Sequence, residues 1–162
     1  MVMADLSEYH RILVGVDGSR QAKKAYDKAV AVAKRNQSVL IIVSVLSISK
    51  LVGLGATQAG FGAVDQTVLD EVKEKMDRLV ADYQKQAIQS GVSQVETSVS
   101  YGNPKTELAQ VLPETFNADL IILGATGLNA VQRMVMGSNA SYVVANAQSD
   151  VLIVRTAVAG DD

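Results

Sequence analysis

Four short runs of aliphatic residues constrain this chain most: RILVGV (11–16), SVLIIVSVL (38–46), ADLIILG (118–124) and DVLIVR (150–155). They are too short for buried helices and too uniformly apolar for strands with one wet face, so they read as strands covered on both sides. A weaker fifth strand is expected at QVETSVSY (94–101), where apolar and polar residues alternate. Between them lie helical patterns. Ser19 is a good N-cap for a helix whose apolar stripe is Ala22, Ala25, Tyr26, Ala29, Val30 and Ala33. A second stripe, Val68, Val72, Met76, Leu79, Tyr83, Ala87 and Ile88, fills 67–90 and ends at Gly91, a residue suited to a left-handed cap. Asn103 and Pro104 form an N-cap and first-turn proline, and Pro113 should kink or end the helix they open. A last helix is expected over about 138–147. Strands alternating with helices predict an α/β fold: one domain over 1–162, an open doubly wound, Rossmann-like five-stranded parallel sheet in the order 3-2-1-4-5, with helices on both faces.

With 48% apolar residues, the chain can bury a core of that size. Its charged fraction is 20% and its formal net charge −2, so it has no basic field for a nucleic-acid backbone or an anionic membrane. The absence of cysteine excludes disulfides, thiolate metal sites and cysteine nucleophiles, and the lone His10 excludes a histidine cluster. The N-terminal MVMADLSEYHR has acids where a signal peptide needs a basic start, and no apolar run is long enough to span a bilayer. The expectation is a soluble, cytoplasmic protein without nucleic-acid or membrane partners. Segment 47–65 has four glycines and no clear periodicity, and reads as a flexible flap or loop.

Two glycine-rich stretches compete as phosphate cradles. GLGATQAG (53–60) lacks the third glycine of a dinucleotide fingerprint, and no Lys-Ser/Thr follows it. The other, LGATGLNAVQRMVMGSNASY (123–142), begins at the exit of the fourth strand and places Gly137 before a helix. The free N–H groups of Ser138 and Asn139 would supply aligned donors and a partial positive charge, with a glycine beside them to let phosphate oxygens approach. Gly124 and Gly127 also suit a plain tight strand exit, and Gly137 a plain helix start. In the order 3-2-1-4-5, Asp17 and Gly124 end neighbouring strands and would face each other across one crevice at the switch point. Asp17 also fits a simple turn before Gly18.

These residues resemble the ATP-binding branch of the universal stress protein family. Its motif, glycine, two residues, glycine, nine residues, then glycine with Ser or Thr, matches Gly124, Gly127, Gly137 and Ser138 in full. ILVGVDGS, YGNP, ADLIILGATG and VLIVR resemble the family's other landmarks, so the likeness covers nearly the whole chain. It implies ATP as ligand, with Mg²⁺ bridging phosphate oxygens. The resemblance also implies the site. Asp17 and the backbone of Val16 would lie beside ribose and adenine, and the backbone of Val45 would pair with the adenine edge. Gly124 and Gly127 would line the ribose and phosphate path, while Gly137, Ser138 and the Asn139 amide would hold the phosphates. Ser44 stands where many members have His, Thr126 where many have His or Arg, Asn139 where a small apolar residue is usual, and Gln148-Ser149 where a Cys-Pro pair is common. Arg133 matches a basic family position, and equally reads as a solvated charge.

No residue set orients water or clamps a moving phosphoryl group, so no catalytic residue is assigned. His10 precedes the first strand, at the far end of the sheet from the crevice. The expected function is an ATP-binding stress-response or regulatory module; the alternatives are a slow ATPase or phosphotransferase, and a nucleotide-independent dimeric interaction protein. A homodimer is expected through the edge strand that Asp150 opens and Arg155 closes, because four aliphatic residues in succession make a poor solvent-facing edge. The family resemblance implies the same pairing.

Overall fold

A computed structural model describes residues 9–49, 66–127 and 136–155. The chain runs β1 (Arg11–Gly15), α1 (Arg20–Asn36), β2 (Val39–Ser47), α2 (Gln66–Ser90) and β3 (Val95–Gly102). It continues through α3, built from Pro104–Thr106, a π-helical turn Glu107–Val111 and Leu112–Phe116, then β4 (Leu120–Gly124), α4 (Ser138–Asn146) and β5 (Asp150–Val154). All strands pair in parallel, as the alternation of elements predicts, and they take the expected order β3-β2-β1-β4-β5. Most of the 47–65 segment, the GLGATQAG stretch and Arg133 lie outside the described residues.

Strand residues divide by parity between two cores. Ile12, Val14, Leu40, Ile42, Leu120 and Ile122 pack beneath α1 and α2. Their neighbours Leu13, Ile41, Val43, Ile121 and Leu123 pack beneath α3 and α4. This is why the runs 12–14, 40–43 and 120–123 are apolar at every position: each face is roofed by helices.

The helices start and stop for local reasons. Ser19 Oγ accepts from the N–H of Ala22, and Asn103 accepts from Lys105 with Pro104 in the first turn. Gly91 takes φ +112° after α2, a conformation in which a side chain would be strained. On α1 the core face includes Val32, with Val30 only partly buried against it. Tyr26 and Tyr83 lock α1 to α2, their rings stacked 4.3 Å apart and the Tyr26 hydroxyl donating to the Tyr83 carbonyl at 2.7 Å. Burial there pushes the Tyr26 phenol up to about 12.

Two features differ from the sequence pattern. Pro113 does not end α3, which continues to Phe116 and closes on Asn117 at φ +51°. The π turn ahead of it spreads the backbone bonds, and that wider turn accommodates the missing N–H and the proline ring. Along α2, only Val80, Tyr83 and Ala87 are buried, while Ile88 is exposed. A 25-residue helix outruns the strands it covers, so its first turns project beyond the carboxyl end of the sheet, where the Tyr101 hydroxyl donates to the Leu69 carbonyl at 3.1 Å.

Candidate functional site

Beyond the carboxyl ends of β1, β2 and β4 lies a cavity of about 470 Å³. It stands where strand order reverses, with β2 on one side of β1 and β4 on the other. Val16, Asp17, Val45, Gly124, Gly127, Gly137, Ser138 and Asn139 all line it. Residues separated by more than half the chain are thus gathered around one space.

Asp17 sits at the middle. One carboxylate oxygen, Oδ1, accepts from the N–H of Ser19 at 2.9 Å and shapes the turn into α1. The other, Oδ2, faces Gly127: a β-carbon on that glycine would stand 3.0 Å from it. The turn role and the crevice position therefore belong to the same side chain. Val16 is held by its N–H donating to the Val43 carbonyl at 2.9 Å, which aligns the exits of β1 and β2.

The motif glycines serve different physical needs. At Gly124 a β-carbon would lie 3.0 Å from both the carbonyl carbon and oxygen of Gln21, so α1 packs directly on the bare backbone. At Gly137 the backbone is extended, φ −71° and ψ 164°, and a β-carbon would come no nearer than 3.4 Å, to the Ala125 carbonyl oxygen. Neither its conformation nor its packing against the described residues demands glycine there. The Gly137 N–H donates to the Ala125 carbonyl, and the Ala125 N–H to the Val154 carbonyl at 3.0 Å, so the start of α4 is tied to the exits of β4 and β5.

Gly137 offers no capping side chain, and the first helical bond of α4 is Ser141 N–H to the Gly137 carbonyl at 3.0 Å. Among the described residues the N–H groups of Ser138, Asn139 and Ala140 have no backbone partner. Their helix carries no acidic residue in its first turn, so its positive end, worth roughly half a charge, is not neutralised by its own residues.

The opposite end is apolar. Leu46, Ala22 and, from α2, Val72 and Met76 form it. The sequence pattern assigned Val72 and Met76 to a core stripe; the signal that could have placed them here is the length of α2 against that of the strands. The cavity thus grades from an apolar end at β2 and α2, past the Asp17 carboxylate, to amide donors at α4. Among the described residues lining it, Asp17 is the sole ionisable side chain. No group of three or more His, Cys, Asp or Glu that could hold a metal ion occurs among the described residues.

His10 lies at the other end of the sheet, where its N–H and that of Arg11 donate to Asp119 at 2.8 and 3.0 Å. No described helix is long and apolar enough to cross a membrane.

The arrangement has relatives. Residues 8–155 match the model of the Universal stress protein family. A Staphylococcus aureus (strain USA300) protein named as a universal stress protein is 38% identical over 148 residues, covering 91% of this chain and 85% of its own. The solved structure of universal stress protein UspA from Lactobacillus plantarum is similar at TM-score 0.79 and 30% identity, over 92% of this chain and 99% of that one. A universal stress protein solved in complex with cAMP shares the fold at TM-score 0.66 and 24% identity, over 93% of this chain and 100% of that one. By sequence and by fold, the chain belongs to the universal stress protein family.

Proposed function

We propose that this protein is a cytoplasmic regulatory module of the family's ATP-binding branch, holding ATP with Mg²⁺ in the crevice. The observation that carries the reading is the grading of the cavity, apolar at β2 and α2 and lined at α4 by amide donors with no backbone partner among the described residues. A ligand with a flat heteroaromatic end and an anionic end matches that order. A nucleotide is such a molecule, and a relative of the same fold was solved with an adenine nucleotide, cAMP. The base would lie against the Val45 backbone and the apolar wall, and the ribose beside Val16 and Asp17. The phosphates would run past Gly124 and Gly127 to Gly137, Ser138 and the Asn139 amide. Gly137 supports this assignment because the fold leaves room for a side chain there.

Magnesium would arrive on the nucleotide. It keeps several waters and binds through few protein oxygens plus phosphates, so it requires no carboxylate cluster. Asp17 and the Ser138 hydroxyl are hard oxygen donors of the right kind in the crevice. The ion would neutralise phosphate charge beside the helix end.

No Lys or Arg lines the crevice among the described residues, so the positioned cationic clamp that phosphoryl transfer relies on is missing from them. This favours binding over turnover. The test is calorimetric titration of the purified protein with ATP, ADP, AMP and cAMP, with and without Mg²⁺, alongside identification of any small molecule released on denaturation. Saturable binding with ATP strongest in Mg²⁺ is expected. An absence of binding to every adenine nucleotide would overturn the reading in favour of a nucleotide-independent dimer.

A further inference from the structure

We infer that Ser44 is a specificity-determining residue of the crevice, its hydroxyl hydrogen-bonding the heteroaromatic end of the bound ligand; this rests on the nucleotide reading above. Three polar residues are buried among those described: Ser19, Ser38 and Ser44, at 6%, 2% and 2% exposure. The first two are accounted for. Ser19 Oγ accepts from the Ala22 N–H at 3.1 Å, and Ser38 Oγ donates to the Tyr9 carbonyl at 2.6 Å. Ser44 Oγ has no hydrogen-bond partner among the described residues. The fully enclosed side-chain oxygen without one among them is Ser100 Oγ, beside Val45 on the opposite face of the sheet, whereas the Ser44 hydroxyl is left within reach of the crevice.

The described neighbours of Ser44 along and across the strand carry no polar side chain. Ser44 sits beside Val99 in the β3 register, and Ile42 and Leu46 flank it on the same face of β2. A small apolar residue would satisfy that packing equally well. What sets Ser44 apart is that it lines the crevice, at the apolar end formed with Leu46, Val72 and Met76. Ser47 also lines that region, but its hydroxyl is engaged with the Ser49 hydroxyl at 3.1 Å. Ser44 therefore brings to a largely apolar recess a hydroxyl with no partner among the described residues. A hydroxyl both donates and accepts, so it can meet either an amino group or a ring nitrogen of a purine. Because the recess shields the pair from water, loss of the hydroxyl leaves a ligand polar atom unpaired.

The test separates base from phosphate. Wild-type protein and Ser44→Ala are titrated with Mg²⁺-ATP and with Mg²⁺-tripolyphosphate, which has no base, and both proteins are melted without ligand. ATP affinity is expected to fall about three- to tenfold in the variant, the worth of one neutral hydrogen bond, while tripolyphosphate affinity stays the same. The ligand-free melting temperature should be unchanged, since the hydroxyl bonds no described residue of the protein. Unchanged ATP affinity in Ser44→Ala would overturn the role of Ser44 and leave the nucleotide site standing. Equal losses for ATP and tripolyphosphate, or a lowered ligand-free melting temperature with ATP affinity intact, would also overturn it, by assigning the hydroxyl to the shape of the fold. Failure of ATP to bind the wild type would overturn both.

Discussion

Asp17 and Gly127 meet across the crevice: Oδ2 of the carboxylate lies 3.0 Å from where a β-carbon on the glycine would stand. The other oxygen is held by the Ser19 N–H, so the carboxylate has limited room to retreat. Gly127→Ala is expected to displace it and weaken ATP binding about tenfold. Stability should change by less than about 1 kcal/mol, because a half-buried side chain rather than backbone gives way. Asp17→Ala should weaken binding too, and cost about 1 kcal/mol through the lost turn bond. Calorimetry and urea unfolding of both variants check this pair.

Gly124 should behave in the opposite sense. Its missing side chain is required by the Gln21 backbone at 3.0 Å, which cannot rotate aside. Gly124→Ala is expected to destabilise the protein by about 1–3 kcal/mol, the usual cost of overpacking. Urea unfolding without ligand measures it, and a loss below about 0.5 kcal/mol would contradict the close helix–strand approach.

Gly137→Val is expected to fold with stability within about 1 kcal/mol of wild type, because the residue is extended and its nearest steric neighbour among the described residues is 3.4 Å away. The left-handed penalty that glycine often relieves does not arise at φ −71°. ATP binding should nonetheless be lost, since the side chain would enter the phosphate path. Thermal melts report both effects: ATP at about a hundred times its dissociation constant should stabilise wild type by about 2.7 kcal/mol and the variant not at all. Full affinity in folded Gly137→Val would remove this helix end from the site.

Hydrolysis should run far below about 10 s⁻¹, a typical enzyme turnover. The crevice offers no cationic side chain among its described lining, and Asp17 is partly committed to its turn. Phosphate release from extensively purified protein tests the point. Turnover at ordinary enzyme rates, abolished in Asp17→Ala, would make the protein an ATPase.

The edge strand β5 carries the proposed homodimer. Val154 accepts from Ala125, so its backbone groups point inward to β4, and by alternation those of Leu152 do as well. Val151 and Ile153 are the residues whose N–H and C=O face outward. Ile153→Pro removes an outward donor without touching the β4 ladder and is expected to convert dimer to monomer in light scattering. Proline at Leu152 would instead break the sheet's own pairing. A monomeric wild type at micromolar concentration, or an unaltered dimer in folded Ile153→Pro, would refute pairing through this strand.

Much of this architecture is legible in the chain itself because the causes are local. β-branched runs such as LIIV in β2 are strands in any compact setting with both faces covered. Ser19 and Asn103 cap their helices through atoms a few residues away, and strands alternating with helices impose a parallel sheet, while its order is one of the doubly wound orders such a chain can take. Even the gathering of Asp17, Gly127 and Gly137 around one space is implied once that order is known.

What each residue does there depended on distances between elements far apart in sequence. Gly124 and Gly137 look alike in the motif, yet one is pressed by the Gln21 backbone and the other has ordinary contact distances to the described residues. Val72 and Met76 fit a core stripe by periodicity, but α2 outruns the sheet and turns them into a crevice wall. Ser44 reads as one more small residue in an apolar strand; only packing decides that its hydroxyl has no partner among the described residues and opens on the cavity. Periodicity and capping are set within a turn or two of backbone. Steric contact and hydrogen-bond satisfaction are set by where the other elements come to rest.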